Sequence, residues 1–544
     1  MATSRSSAGP SLRKDAASTG PRPERPFERV LIANRGEIAV RIIRACRELG
    51  MASVAVYSDA DAGAMHVRLA DEAVRIGPPP PGESYLRIEA IIEAARRTRA
   101  EAIHPGYGFL AERASFARAV EDAGIVFVGP PSTAIDALGD KLHARRIATQ
   151  VDVPAVPGTS EPAPVDRPDQ VAAIVADATR IGFPLLVKAS AGGGGRGMRR
   201  VTSATELPVA LAAGSREAAS AFGDGSVYLE REIAPARHIE VQLLGDVAGE
   251  VIAIGERDCS LQRRHQKLVE EGPAPGLTVD ERRALHAMAV RIATAAGLHN
   301  AATAEFLRAP DGAFYFLEVN TRLQVEHGVT ELVSGLDIVR EQFGLAAGWS
   351  LSEAAHAAAE RAAEPGNHAI EVRLTAEDPG RGFAPTPGRI RRWAMPAGPG
   401  VRVDCGLEAG DSVPPEYDNL VAKIMVVAGD RDAAIDRLRR ALDETEVAGI
   451  QTTLPFHRFV AGSARFRAGE LSTGWVDDNW DGPGAYAVAL RRAQLAAGLD
   501  ALERGLGLDP VAGSSGQSHV ADAAARSGGW GSSARAAALD RWPE

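Results

Sequence analysis

The 544-residue chain is short of cysteine, lysine and aromatic side chains, and each shortage excludes something. Three cysteines, Cys46, Cys259 and Cys405, lack CxxC or other metal-ligand spacing; they cannot staple a chain this long and fit a reducing cytoplasm. No uncharged apolar run approaches the roughly 18 residues a bilayer span requires, and no apolar signal core follows the N-terminus, so a cytoplasmic protein without a membrane partner is expected. Sixty-one Lys and Arg against 71 Asp and Glu leave a net charge of -10, a poor match for nucleic acid. No GxxxxGKS/T occurs, which excludes a P-loop, and the first βα turn reads NRGE, without the GxGxxG of a dinucleotide site. Only five basic residues are lysine (Lys14, Lys141, Lys188, Lys267, Lys423). In an arginine-rich chain each one asks for a reason, because a compact ammonium meets a phosphate or small anion differently from a guanidinium.

At 45% apolar and 24% charged the composition is globular, and the length suits about three domains. Residues 1–26, rich in Ser, Arg, Pro and Ala, read as a disordered extension. Then RVLIA at 29–33, a helix over 36–49 with Ile38, Ile42, Ile43 and Ala45 on one face, and ASVAVY at 52–57 predict a βαβ start to a doubly wound sheet. Later strands alternate with a helix near 280–296, another helix is expected over 432–445, and an amphipathic helix over 485–503 precedes a loose tail.

Two segments carry nucleotide chemistry. Glycines at 192–195 and 197 allow backbone N–H groups to approach phosphate oxygens, and Lys188 lies in an apolar strand, where an ammonium needs an anion or a buried Glu partner. The acidic counterpart is TAEFLRAPDGAFYFLEVN at 303–320. A two-residue type I′ turn at Asp311–Gly312 places Glu305 opposite Glu318, with Asn320 on the same face, an all-oxygen set suited to Mg²⁺ on nucleotide phosphates. A type I turn at Pro310–Asp311 with a Gly bulge shifts the register by one and sends the two glutamates to opposite faces. Dense ionisable groups at 256–267 and 318–331 mark either a reaction site or a salt-bridge network.

Taken together, NRGEIAVRIIRACRELG (34–50), HPGYGFL (104–110), GGGGRGM (192–198), ERDCSLQRRHQK (256–267), EVNTRLQVEH (318–327) and EVRLTAEDP (371–379) resemble the biotin carboxylase family, in the family's order from about 27 to 475. The resemblance implies an α/β ATP-grasp fold: a Rossmann-like N-terminal domain over 27–140, an ATP-grasp domain over 141–365 with a mobile lid near 156–232, an α+β C-terminal domain over 366–475, and an Ala/Gly/Ser-rich tail over 476–544. It further implies that Lys141, Lys188, Gly194 and Gly195 contact ATP. Glu230, Arg231, Glu232 and Ile233 would form the adenine hinge, and His238, Gln262 and His265 would complete the nucleotide site. Glu305, Glu318 and Asn320 would hold Mg²⁺ or Mn²⁺; Lys267, Arg322, Gln324, Val325 and Arg373 would hold bicarbonate; Glu326 would be the general base; Tyr107 and Arg373 would face biotin. The chain has Ala191, Arg231 and Gly328 where the family usually has glycine, lysine and proline.

The implied chemistry is attack of bicarbonate on the γ-phosphate, release of CO₂ from carboxyphosphate, and carboxylation of biotin. Biotin is carried on a lysine amine and none follows Lys423, which implies a biotin carboxyl carrier protein on a separate chain. YDNLVAKIMVV (417–427) and GIQTTLPFHRF (449–459) resemble the acyl-CoA carboxylase branch, implying a separate carboxyltransferase subunit; a homodimer is also implied. Two other readings stand beside this one: an ATP-grasp ligase acting on a different carboxylate, and a catalytically silent subunit that scaffolds a carboxylase complex.

Overall fold

The computed structural model describes residues 25–159, 161, 162, 165, 168–190, 198–222 and 224–505. Gly194 and Gly195, nearly all of the N-terminal extension and the tail beyond 505 lie outside the described residues.

Apolar β1 (Arg29–Ile32) leads through α1 (Gly36–Glu48) to β2 (Ala52–Ser58), as the periodicity predicts. With β3 (Glu72–Gly77), β4 (Ala102–His104) and β5 (Val126–Phe127) they make a parallel sheet in the order β3-β2-β1-β4-β5. Strand order reverses at β1, and open α/β sheets bind ligands in the crevice such a reversal creates. Tyr107 follows β4 there, its carbonyl held by Asn34 Nδ2 at 2.8 Å. After α2 (Lys141–Gln150) comes a small antiparallel sheet of β6 (Leu185–Ala189), β7 (Arg199–Val201) and β8 (Val227–Arg231), with its own core of Leu185, Val187, Val201, Leu211 and Leu229.

Beside three short two-stranded ribbons, eight longer strands form one sheet: β9 (Arg237–Gly245), β10 (Val251–Arg263), β11 (Gln266–Gly272), β12 (Asn300–Arg308), β13 (Phe314–Asn320), β14 (His368–Thr375), β15 (Val401–Cys405) and β16 (Leu420–Ala428). Their order is β13-β12-β9-β10-β11-β14-β16-β15. Alternation along the strands separates two faces. Ile239, Val241 and Leu243 pack on α3 (Val279–Ala295), which opens on a capping box of Thr278 and Glu281; Val372, Ile424 and Val426 share a core with α5 (Arg431–Glu444). The other face carries a charged side chain on every strand: Glu318, Glu305, Glu240, Arg257, Glu270, Glu371, Lys423 and Asp404. The short helix α4 (His327–Ser334) lies against its middle. The helix expected over 485–503 is α6 (Gly482–Gly505), with Leu495, Leu499 and Leu502 exposed. Among the described residues no helix is long and apolar enough to cross a membrane.

Candidate active site

The β12–β13 hairpin combines both sequence-based registers. Next to the turn Phe306 pairs with Phe316 and Arg308 with Phe314, the shifted register, so the type I′ turn expected at Asp311–Gly312 is corrected. Gly312 N–H donates to Ala309 O at 3.0 Å; Pro310 supplies the fixed φ at the second turn position, and Gly312 takes φ +89°, which L side chains resist. An extra residue, Leu317, then bulges from β13, and beyond it Glu305 faces Glu318 and Thr303 faces Asn320. The expected pairing of the glutamates is present although the turn expected to create it is not. Asn320 Nδ2 donates to Glu305 Oε1 at 2.8 Å, so the three oxygen-bearing side chains share one face. Each Glu already answers a cation: Lys141 Nζ lies 2.7 Å from Glu318, and His238 Nε2 lies 2.9 Å from Glu305.

Lys267 is the hub. Its ammonium, on β11 and nearly enclosed, meets Glu240 at 2.5 Å, Glu305 at 2.9 Å and Glu326 at 2.7 Å. Burial alone would lower its pKa, but the three carboxylates hold it well above the usual lysine value. Glu326, at the N-terminal end of α4, is wholly buried; Lys267 on one side and Arg373 Nη2 at 2.9 Å on the other overcome burial and keep it ionised well below the normal carboxyl range. Arg373 also gives Nε to Glu270 Oε1 at 2.6 Å. Arg322 joins the cluster from the Glu318 side, donating to Gln324 Oε1 at 2.7 Å, Asn320 Oδ1 at 3.0 Å and Glu112 at 2.9 Å; Gln324 Nε2 reaches Glu305 Oε1 at 3.2 Å. Val325 turns its carbonyl to Lys423 Nζ at 2.7 Å. Tyr107 donates its hydroxyl to Glu37 and senses the charge of Arg373, which sets it beside the cluster.

The other residues expected at the nucleotide gather at a second edge. Lys188 on β6 donates to Glu230 on the adjacent β8, the buried Glu partner that competed with anion binding to explain this lysine. Arg231 N–H donates to Pro157 O at 2.7 Å, Glu232 N–H to Pro184 O at 3.0 Å, and the Glu232 carboxylate accepts from Arg200 at 2.6 Å. The Arg231 side chain is exposed, its guanidinium lying over Gly182, and Ile233 is half-buried. Gln262 is buried opposite Lys267, and His265, at the β10–β11 turn, is lowered by burial and then by the charges of Lys188, His238 and Lys141, which ties the two edges together.

Several partners were not anticipated. Glu240 and Arg257, joined at 2.5 Å in full burial, form the floor under Lys267; the isolated acid in the apolar run IEVQLL was the available signal. Glu112, Glu270 and Glu37 orient Arg322, Arg373 and Tyr107, and each comes from a segment too distant in sequence to reveal it. The assembly can bind anions of two sizes beside a pair of carboxylates and holds one ionised carboxylate between two cations.

Family models match three consecutive stretches: "Biotin carboxylase, N-terminal domain" over 26–135, "Carbamoyl-phosphate synthase L chain, ATP binding domain" over 140–354, and "Biotin carboxylase C-terminal domain" over 371–478. The chain is 48% identical over 451 residues to biotin carboxylase of Pseudomonas aeruginosa, covering 83% of this chain and 98% of that protein. It is 47% identical over 457 residues to the biotin-dependent acyl-coenzyme A carboxylase alpha3 subunit of Mycobacterium leprae, covering 83% and 75%. Among solved structures it is similar to a biotin carboxylase–β-γ-ATP complex from Campylobacter jejuni, at TM-score 0.79 and 42% identity, covering 83% of this chain and 99% of that one. The biotin carboxylase domain dimer of Hydrogenobacter thermophilus 2-oxoglutarate carboxylase, solved with MgADP, ADP and bicarbonate, gives TM-score 0.79 at 43% identity, covering 83% and 97%.

Proposed function

The chain belongs to the biotin carboxylase family, and we propose how its residues divide the work of that chemistry. It is an ATP-dependent ligase of ATP-grasp fold that carboxylates biotin with bicarbonate. The observation that carries the residue assignment is the contact of Lys267 and Arg373 with the two oxygens of one wholly buried carboxylate, Glu326.

Lys267, Arg373, Arg322 and Gln324, with the backbone at Val325, hold bicarbonate beside Glu326. While both cations lie on Glu326 its proton affinity is too low for a base; when bicarbonate draws their hydrogen bonds to itself, Glu326 gains the affinity to take the bicarbonate proton. The freed oxygen attacks the γ-phosphate, giving carboxyphosphate and ADP. Carboxyphosphate yields CO₂, the liberated phosphate removes the N1′ proton of biotin, and Arg373 steadies the enolate-like oxygen with Tyr107 at the same end. Lys141, Lys188, His238, Gln262 and His265, with the backbone of Glu230, Arg231, Glu232 and Ile233, orient the nucleotide. The facing carboxylates of Glu305 and Glu318, with Asn320 Oδ1, fit a hard divalent ion: they are oxygen donors on one face that now neutralise Lys141, His238 and Lys267. Mg²⁺ or Mn²⁺ bound there supplies neutralisation of charge on the transferring phosphoryl oxygens.

Residues near 156–232 form the lid, supported by their separate small sheet and core. We keep the domain limits 27–140, 141–365 and 366–475, supported by the consecutive family-model matches over 26–135, 140–354 and 371–478. A biotin-dependent carboxylase partnership is implied by the relatives. We place biotin on a carrier protein of a separate chain, with a carboxyltransferase subunit completing an acyl-CoA carboxylase in the cytoplasm; support comes from the near-complete coverage of the Pseudomonas protein, a biotin carboxylase by name. A homodimer is supported by the dimeric Hydrogenobacter domain. The test is transfer of label from bicarbonate to free biotin by the purified chain with ATP and magnesium. Labelled carboxybiotin is expected, and ATP cleavage with no label in biotin would overturn the reading.

A further inference from the structure

On the charged face of the eight-stranded sheet, Glu371 has neither a part in this chemistry nor a hydrogen-bond partner among the described residues. Glu371 on β14 stands directly opposite Glu270 on β11, and both are wholly buried. Among the described residues neither carboxyl oxygen of Glu371, nor Oε2 of Glu270, has a hydrogen-bond partner. Directly opposed side chains on paired strands are close enough to interact, and two facing carboxylates in a dry interior repel.

The nearby cations are committed elsewhere. Arg373 spans Glu270 Oε1 and Glu326 Oε2. Lys423, on β16, donates to Val325 O at 2.7 Å and is ion-paired with Glu37 at 3.2 Å and, at longer range, with Asp404 at 3.8 Å. Burial, reinforced by the carboxylates of Glu270 and Glu326, lifts Glu371 well above the ordinary carboxyl range against the pull of Lys423 and Arg373. Among the described residues the covering elements offer no free cation to it: His327 on α4 is held neutral by burial, Glu331 binds Arg41 and Arg402, Arg402 also binds Asp404, and Glu37 on α1 pairs with Lys423.

We propose that Glu371 is a buried neutral acid whose O–H donates to Glu270, fixing the Glu270 carboxylate as the anchor that aims Arg373 at the substrate. Glu371 is thus a positioning residue, and the inference rests on the role proposed above for Arg373. One proton removes the repulsion and fills the orphaned Glu270 oxygen. Without that donor Glu270 takes up a proton itself or turns away, Arg373 loses its hold at Nε, and the guanidinium settles on Glu326.

The test uses the full chain in three forms: wild type, Glu371→Gln and Glu371→Leu. The amide of Glu371→Gln still offers a donor to Glu270, so its kcat for free-biotin carboxylation stays within about threefold of wild type. Glu371→Leu keeps the bulk but not the donor, and kcat falls about tenfold or more with KM for ATP unchanged. Difference infrared spectra at neutral pH, wild type minus Glu371→Gln, show the C=O stretch of a protonated carboxylic acid. The proposal is overturned if Glu371→Gln loses as much activity as Glu371→Leu, if Glu371→Leu is fully active, or if the protonated-acid band is missing. A wild-type chain without biotin-dependent turnover would sink the enzymatic reading instead, and the infrared band would still decide the state of Glu371.

Discussion

Replacing Lys267 by methionine keeps the length of the side chain and deletes its charge, and the structure sets the size of the effect. Three charge-assisted hydrogen bonds disappear, to Glu240, Glu305 and Glu326. At about 1.5–3 kcal/mol each the gross loss is roughly 5–9 kcal/mol. No carboxylate is left wholly bare: Glu240 keeps Arg257 at 2.5 Å, Glu305 keeps His238 at 2.9 Å, and Glu326 keeps Arg373 at 2.9 Å. The net cost is therefore closer to the 3–5 kcal/mol or so of a broken buried pair, which in a unit of this size lowers the melting temperature by roughly 10 °C. Loss of one oriented charge at the reacting anion costs about 10²–10³-fold in turnover. Bicarbonate-dependent phosphate release and calorimetry read the two effects separately. Lys267→Arg restores charge but brings a planar fork that cannot meet three carboxylates at one point, so it recovers melting temperature more fully than turnover. A Lys267→Met protein with wild-type turnover, or with an unshifted melting point, would refute the hub.

Three further outcomes follow from other parts of the fold. A Cβ at Gly328 would lie 2.4 Å from Met425 Sδ in full burial, so Gly328→Ala overpacks by about 1–3 kcal/mol and lowers the melting temperature; Met425→Ala in the same chain shows positive coupling in a double-mutant cycle, whereas additive losses would contradict the packing. Burial lowers His66 and His457 to about 4 and His104 to about 3, from 6.5. The unfolded chain then binds protons that the folded one does not between about pH 6.5 and 4, so stability is lost as pH falls through that window, by about 1.4 kcal/mol per unit for each histidine; a melting temperature flat across the window would count against neutral buried imidazoles. Lys423→Met strips Val325 O of its donor and Glu37 of its cation while Asp404 keeps Arg402 at 2.7 Å, lowering the unfolding free energy measured in urea by an amount comparable to a broken buried pair, about 3–5 kcal/mol, and an unchanged midpoint would show that the groups left behind find other partners.

Local pattern revealed what local physics decides. Apolar periodicity found β1, α1 and β2 because both faces of a parallel strand are buried, and the D-G turn with its flanking alternation found the β12–β13 hairpin. Register inside that hairpin was not legible, because it depends on where a bulge forms: Pro310 and Gly312 shift the pairing, Leu317 shifts it back, and only the sum of the two restores Glu305 opposite Glu318. The motif residues were legible through family resemblance, whereas their supports were not. Glu270 and Glu371 are ordinary acids in sequence and acquire meaning only from strands that pair across long separations, and Glu112 only from a loop that meets Arg322 from 210 residues away. Lys423 stood out by the scarcity of lysine, yet its role beneath Val325 needed the β14–β16 pairing.

The central claim is that paired acids and a cation-flanked carboxylate belong to one reaction site. It is tested most directly by the crystal structure of this chain grown with magnesium, ADP and bicarbonate. The account predicts the metal between Glu305 and Glu318, and bicarbonate within hydrogen-bonding reach of Glu326, drawing Lys267 and Arg373 toward itself. Metal bound away from these two glutamates, or bicarbonate seated out of reach of Glu326, would contradict it.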